Sequence, residues 1–92
     1  MKFEWDKQKA ENNLKKHGVS FEEAITVFDD PLYLDFYDPD HSSHEHRYLI
    51  IGRSSKTRLL IISYTERADN LRLISARQAA SKEREHYENP KS

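Results

Sequence analysis

Apolar positions along the chain recur at helical spacing towards both ends and at strand spacing in the middle. Phe3 and Trp5 alternate with charged neighbours, which predicts a short edge strand or an extended start of the chain. Asp6 is then suited to cap a helix over residues 7–17, and Gly18 stands where a left-handed residue commonly ends a helix. A first helix is therefore predicted with both of its ends marked.

The N-terminal third carries two helical patterns of unequal strength. The first helix has a thin apolar stripe of Ala10 and Leu14. Ser20 and Glu23 have the spacing of a capping box, which starts a second helix that the sequence Asp29-Asp30-Pro31 ends. The predicted buried face of this second helix consists of Phe21, Ala24, Ile25 and Phe28.

Four strands are predicted after the second helix. Residues 32–37 alternate between two sets of side chains and predict a half-buried strand. Residues 46–51 form the next strand, which Gly52 ends. Residues 58–65 contain a continuous apolar run at 59–62, which is typical of a central strand covered on both faces. Residues 71–75 form the fourth strand.

The connections and the last element complete the predicted architecture. Residues 38–43 form a polar connection, and short spacings between the other strands indicate hairpins. Residues 77–87 are rich in strong helix formers, and Asn89-Pro90 ends that helix. The sequence therefore predicts a single domain over residues 1–92 of the α+β class. It has a small antiparallel sheet of about four strands, two N-terminal helices and one C-terminal helix.

Composition excludes several classes of protein. The chain has no cysteine, so neither a disulfide framework nor a thiolate zinc site is available. No apolar run approaches the ~18 residues that a membrane span requires, and the first residues do not form a signal peptide. These features favour a cytoplasmic protein without membrane contact.

Charge is distributed unevenly although the net charge is −1. Residues 1–17 carry five lysines and three acids, residues 18–45 carry eight acids and neither lysine nor arginine, and residues 46–87 carry nine basic residues and four acids. Such asymmetry indicates nucleic acid or a charged partner. The alternative is that the acidic and basic blocks pair with each other across the fold.

Residues 62–77 contain the strongest chemical signal. Arg67, Arg72 and Arg77 stand at strand ends or project from a strand, and arginine is a permanently charged fork that suits phosphate. Glu66 beside Arg67 is a candidate general base, with the arginines stabilising charge on a phosphate. The alternative is a salt bridge between Glu66 and one of these arginines that fixes the hairpin.

Further basic and aromatic residues come from neighbouring strands. Arg47, Arg53 and Arg58 accompany tyrosines at 33, 48 and 64. A sheet face with arginines and tyrosines is similar to platforms that bind single-stranded nucleic acid. Tyrosines that pack in a core with their hydroxyls at the rim are the alternative.

Three histidines lie close together at 41, 44 and 46. Imidazole suits zinc, copper and nickel, so a metal-binding protein is one alternative. His44 and His46 share a face if both lie in a strand, but Glu45 between them then faces away. A polar loop leading into a strand explains these residues as well, and no metal or other cofactor is predicted.

Several blocks in this order and spacing resemble the BrnT family of toxins, the ribonuclease half of bacterial type II toxin–antitoxin pairs. The resemblance covers most of the chain. The blocks are residues 3–6, Asn12 or Asn13, residues 16–24, 28–31, 45–47, 51–52, 64–67, 72–77 and 85–87.

The resemblance implies a RelE-like ribonuclease fold and a toxin that cleaves RNA and so stops translation. It implies neutralisation by a BrnA-like antitoxin, with contact to DNA only through that antitoxin. For cleavage without metal, a base, an acid and cations around the phosphate are needed. The matching positions are His17, Glu66, Arg67, Arg72 and Arg77 for catalysis, with Arg47, Arg53 and Tyr64 for RNA binding.

Two alternatives stay open for these positions. His17 lies in the last turn of a helix before Gly18, where a cation complements the helix dipole without any catalytic role. The whole chain could also be a non-catalytic module that binds an antitoxin, with the acidic block 18–45 docking a basic partner helix.

Overall fold

This computed structural model describes residues 2–41 and 44–90. These residues form eight helices and strands. Positions 42 and 43 of the predicted polar connection lie outside the described residues. The elements are β1 Lys2–Glu4, α1 Lys7–His17, α2 Phe21–Ile25, β2 Leu34–Tyr37, β3 Arg47–Arg53, β4 Leu59–Arg67, β5 Asn70–Gln78 and α3 Ser81–Glu88. Short 3₁₀ turns cover Thr26–Asp29 and Pro39–His41.

The sheet contains five strands in the order β1-β5-β4-β3-β2. The α+β class and the three helices are as predicted, but the count of about four antiparallel strands is wrong. The predicted N-terminal edge strand is present as β1, and it pairs parallel to β5, with Phe3 opposite Leu71. The other neighbouring strands are antiparallel. The sheet is therefore mixed.

Helix α1 has the predicted ends, but of its predicted apolar stripe only Ala10 packs against the core. The Asp6 side chain accepts a hydrogen bond from the Lys9 N–H, and Gly18 adopts φ 68° after the last turn. Leu14, however, is 51% exposed, whereas Asn13 is buried. A polar side chain thus takes the place that the apolar stripe was expected to fill.

Asn13 joins α1 to the sheet through three hydrogen bonds. Its Nδ2 donates to the carbonyl oxygens of Val19 at 2.9 Å and Ala76 at 2.8 Å, and its Oδ1 accepts from the Ala76 N–H at 3.0 Å. The amide side chain therefore binds β5 as a neighbouring backbone would, and it ties α1 to the centre of that strand.

Helix α2 begins at the predicted cap, but the reciprocal half of the capping box is wrong. The Ser20 Oγ accepts from the Glu23 N–H. The buried Glu23 carboxylate instead binds the guanidinium of Arg58 and the Ser54 hydroxyl. Arg58 also donates to the carbonyl oxygen of Gly18. This ion pair connects α2 to the start of β4 and to the end of α1.

Helices α1 and α2 cover one face of the sheet, and β4 lies at its centre. The apolar run of β4 is buried on both faces, as predicted. The main core joins α2 and the following turn to β3, β4 and β5 through Val19, Phe21, Ala24, Val27, Ile50, Leu60, Ile62, Tyr64, Leu71, Leu73 and Ala76.

A β-bulge in β5 changes which side chains share a face. Ser63 pairs with Ser75 and Tyr64 pairs with Leu73, so Ile74 is the extra residue. Simple alternation along residues 71–75 predicts that Ser75 shares a face with Leu71 and Leu73, and the bulge makes this prediction wrong. The bulge turns Ala76 into the core and the residues on either side of it outward.

Other element boundaries also differ from the sequence prediction. Gly52 lies inside β3, where a Cβ would come within 3.0 Å of Asp30 Oδ2 and Val27 Cγ1. Strand β5 continues to Gln78, so Arg77 is a strand residue and α3 begins only at Ser81. Strand β2 is not half-buried: Phe36 is 43% exposed at this edge of the sheet.

Candidate functional site

The face of the sheet opposite α1 and α2 carries the predicted arginines. Along one row, Arg47 of β3 and Arg72 of β5 both pair with Thr65 of β4. Arg67 lies two residues further along β4 and pairs with Asn70. Side chains of cross-strand partners point to the same face, so these three arginines project from one surface.

We call Arg47, Arg67 and Arg72 the arginine triad. Strand spacing places the backbones of Arg47 and Arg72 about 10 Å apart, with Arg67 about 7 Å from Thr65 along β4. Thr65 is buried between them and donates its hydroxyl to the His46 carbonyl oxygen at 2.7 Å. The triad therefore surrounds a buried residue of the central strand β4.

Glu45 and Glu4 are carboxylates of the described residues that contact the triad. Glu45 Oε1 lies 3.8 Å from Arg47 Nε, and its Oε2 lies 3.8 Å from Arg67 Nη2. Both distances exceed those of a normal hydrogen bond. Glu4 Oε2 accepts from Arg72 Nη1 at 3.1 Å. The contacts of Glu45 are loose enough for an incoming anion to take its place.

The remaining predicted arginines are held by close structural contacts. Arg77 donates two hydrogen bonds of 2.7 Å to Glu83, whose carboxylate also accepts from the Ala80 N–H that starts α3. The pKa of Glu83 is lowered, mainly by its hydrogen bond from Arg77. Arg53 lies 5.8 Å from the centre of the Tyr87 ring. These contacts fix α3 on the arginine face.

A row of aromatic rings crosses the face of the sheet that α1 and α2 cover. Tyr37 contacts Tyr48 with ring centres 5.8 Å apart, and Tyr48 stacks on Tyr64 at 5.6 Å. Tyr64 meets Phe28 edge to face at 5.3 Å, and Phe28 contacts Phe3 at 5.0 Å. The row crosses the sheet from β2 to β1 and lies on the face opposite the triad.

Comparison with known protein families identifies the family of this chain. The family model for the ribonuclease toxin BrnT of type II toxin–antitoxin systems matches residues 5–83. The chain belongs to the BrnT family. The predicted family and its function as a ribonuclease toxin are confirmed, and membership implies an antitoxin partner.

A solved member shows the same fold. The 1.1 Å crystal structure of the Brucella abortus ribonuclease toxin BrnT matches with a TM-score of 0.64 and 23% sequence identity. The match covers 88% of this chain and 99% of the Brucella chain. Curated protein sequences give no significant match. The five-stranded sheet with three helices is therefore a BrnT architecture.

The predicted catalytic residues of this BrnT-family chain do not meet in one place. Arg67, Arg72 and Arg77 point to the same face of the sheet. The bulge in β5 adds one residue between Arg72 and Arg77, and this extra residue brings both side chains to that face. Glu66 pairs with Leu71 and points to the opposite, helix-covered face, as does Tyr64. Adjacent strand residues point to opposite faces, so Glu66 and Arg67 cannot contact one phosphate together.

His17 lies at the other end of the sheet. It precedes Gly18, whose carbonyl oxygen accepts from Arg58 Nη2 at 3.0 Å beside the start of β4. About 24 Å of strand separates Leu59 at this end from Glu66 at the other. The fold therefore keeps His17 away from the triad.

Sequence reasoning missed Glu45 and Glu4 as partners of the triad. Glu45 was considered only as a residue between two histidines, although its place just before β3 was a signal that it could reach a neighbouring strand end. Glu4 lies opposite Arg72 because β1 pairs with β5, which no local pattern indicates.

The histidine cluster is dispersed in the structure. His41 Nδ1 lies 2.9 Å from an Asp38 carboxylate oxygen, and His46 Nδ1 lies 3.1 Å from the Tyr37 hydroxyl. Within residues 2–41 and 44–90, no group of three histidine, aspartate or glutamate side chains is placed to hold a metal ion. In the same part of the chain, no helix is long and apolar enough to cross a membrane.

Proposed function

We propose that this chain is an endoribonuclease whose arginine triad holds the phosphate at the cleaved bond of RNA. Family membership supplies the ribonuclease class. The observation that carries the location is the cross-strand row in which Arg47 and Arg72 flank Thr65, with Arg67 beside it. Three guanidinium groups on one packed surface can surround a phosphate and donate several charge-assisted hydrogen bonds.

The triad supplies electrostatic stabilisation rather than proton transfer. An attacking ribose 2′-hydroxyl adds negative charge to the phosphate oxygens in the transition state, and fixed cations stabilise that charge. Arginine stays protonated at any relevant pH, so the three groups cannot act as bases. The base has to be a neighbouring side chain.

Glu45 is our candidate for the base. Its carboxylate oxygens lie 3.8 Å from Arg47 Nε and 3.8 Å from Arg67 Nη2 of the triad. A phosphate between these arginines would release the carboxylate next to the 2′-hydroxyl. In this proposal Glu45 takes the role that the sequence assigned to His17 or Glu66, because His17 lies at the other end of the sheet and Glu66 points to the opposite face.

The remaining parts of the proposal follow from the family. We propose cleavage without a metal ion, a RelE-like arrangement of the site, and action on cytoplasmic RNA that inhibits translation. A BrnA-like antitoxin would neutralise the toxin and provide any contact with DNA. The triad supports cleavage without metal, because arginines already provide the charge that a metal ion would otherwise supply.

RNA cleavage by purified protein tests the site. Arg67→Gln and Arg47→Gln are each expected to lower the cleavage rate about a hundredfold, the usual scale for removing one stabilising donor. Arg84→Gln is the matched control, because Arg84 is an exposed arginine of α3 whose nearest carboxylate, Glu88, is 3.9 Å away. Circular dichroism and thermal melting would show that all variants remain folded.

Two further measurements test the chemistry. Glu45→Gln should lower the cleavage rate but leave RNA binding nearly unchanged, because a neutral amide no longer accepts a proton. The native rate should not change in EDTA. Equal cleavage by the triad variants and Arg84→Gln would refute the location. A folded native protein that binds antitoxin but leaves RNA intact would instead support the non-catalytic module.

A further inference from the structure

A second concave site lies on the face of the sheet opposite the triad. It is a cleft of about 240 Å³ between β2, β4 and the turn after α2. Ile50 and Leu71 line it together with aromatic rings and two carboxylates. These other lining residues are Phe28, Tyr33, Asp35, Tyr64 and Glu66.

The Tyr64 side chain is the most unusual part of this cleft. Tyr64 is only 5% exposed, yet within residues 2–41 and 44–90 its hydroxyl has no hydrogen-bond partner. Burial raises the pKa of Tyr64 to about 12, and the charges of Asp35 and Glu66 add to the shift. The hydroxyl of this largely buried residue lines the cleft without a hydrogen-bond partner among the described residues, so it is available to a ligand atom there.

The two carboxylates of the cleft are also unpaired. In the described part of the chain, neither Asp35 nor Glu66 takes part in a hydrogen bond or an ion pair of its side chain. Elsewhere in the molecule, acidic side chains such as Glu23 and Glu83 are held by arginines at short distance. The cleft thus has flat aromatic walls. It also has two carboxylates and one phenol hydroxyl whose oxygens are available to accept hydrogen bonds.

We propose that this cleft binds the guanidinium group of an arginine side chain from a protein partner, the antitoxin. A guanidinium has five N–H donors in a plane, which suits two carboxylates and a phenol oxygen. The rings of Phe28, Tyr33 and Tyr64 would contact its flat face and the apolar stem. The inference rests on the antitoxin partnership of the family and not on the proposed RNA site.

Charge and exposure favour a protein over RNA as the occupant. The cleft contains two carboxylates, of which Asp35 belongs to the acidic block of residues 18–45, and such negative charge repels phosphate and attracts basic side chains. Beside it, the edge strand β2 and the turn before it expose large apolar side chains: Tyr37 of β2 is 48% exposed and Leu32 of the turn is 69% exposed. Such residues are typical of a protein interface.

Titration of the full-length ¹⁵N-labelled protein with N-acetyl-arginine-N-methylamide tests the cleft directly. Saturable shifts are expected at the amide signals of Asp35, Tyr64 and Glu66. N-acetyl-citrulline-N-methylamide has nearly the same shape without the charge, so it should cause none. Asp35→Asn combined with Glu66→Gln should weaken arginine binding at least tenfold. Glu11→Gln, an exposed carboxylate of α1, should not change it.

The opposite results would overturn the proposal. Equal binding of the citrulline compound would show that charge is not selected. Saturation of the same signals by guanosine, without response to the arginine compound, would make the cleft a nucleobase site.

Co-expression tests the partner. Asp35→Lys should still cleave RNA and arrest growth, but a co-expressed antitoxin should no longer relieve the arrest. Relief equal to that of the native toxin would refute the assignment to the antitoxin. Loss of cleavage in Asp35→Lys would also count against the proposal, because the cleft is placed apart from the RNA site. Loss of cleavage in the triad variants alone would leave the proposal intact.

Discussion

Replacement of Asn13 by alanine should destabilise the protein more than its small change in volume suggests. The substitution removes three hydrogen bonds of 2.8–3.0 Å to the backbone of Val19 and Ala76. Ala76 is completely buried, so water cannot replace the bonds to its N–H and carbonyl groups. Each buried backbone group left without a partner costs about 1–3 kcal/mol. We therefore expect a loss of about 3–5 kcal/mol in the free energy of unfolding.

Urea unfolding followed by circular dichroism measures this loss. For a chain of this size, each kcal/mol lowers the melting temperature by about 4–8 °C, so Asn13→Ala should melt at least ~12 °C below the native protein. Asn12→Ala is the matched control, because Asn12 is exposed and accepts only from Gln8 at 3.2 Å. Asn13→Asp should be equally harmful, since a carboxylate cannot donate to two carbonyl oxygens. A difference below 1 kcal/mol between the two alanine variants would refute the reasoning.

Three other predictions concern stability. Hydrogen bonds from Arg58 hold the pKa of Glu23 below its ordinary value of 4.5, so the stability that Glu23 contributes is full above that pH and is lost as the pH falls. Urea unfolding between about pH 3 and pH 7 should therefore show a weaker pH dependence for Glu23→Gln than for the native protein. Ala68 has φ 52°, so Ala68→Gly should raise the unfolding free energy by about 1 kcal/mol, and an unchanged value would contradict strain at this turn. Glu83→Gln should weaken the contact of α3 with Arg77 and speed amide exchange in residues 81–88 while β4 stays protected.

Local chemistry in the sequence predicted the helix starts and the central strand well. Asp6, Ser20 and Gly18 act within one helical turn, so their roles need no knowledge of the rest of the fold. The apolar run of β4 is long enough to require cover on both faces. The BrnT family followed from several such blocks taken in order.

The site was harder to predict because it depends on contacts between distant parts of the chain. The bulge at Ile74 decides that Arg72 and Arg77 share a face, and alternation along β5 alone gives the opposite result. The pairing of Glu4 with Arg72 joins residues 68 positions apart. The alternation of side chains along a strand does indicate that Glu66 and Arg67 point to opposite faces. The prediction of one shared role relied instead on their being adjacent in sequence.

The short parallel strand β1 has a consequence for the order of folding. Its partners are residues 70–72, and the contact of α1 with β5 likewise waits for Ala76. The first seventeen residues therefore leave the ribosome long before the strand that holds them exists. Contacts of such high sequence separation form late, because a long loop has to close first. A chain interrupted before residue 70 would lack the strand edge to which β1 binds, so β1 and α1 could not dock on the sheet.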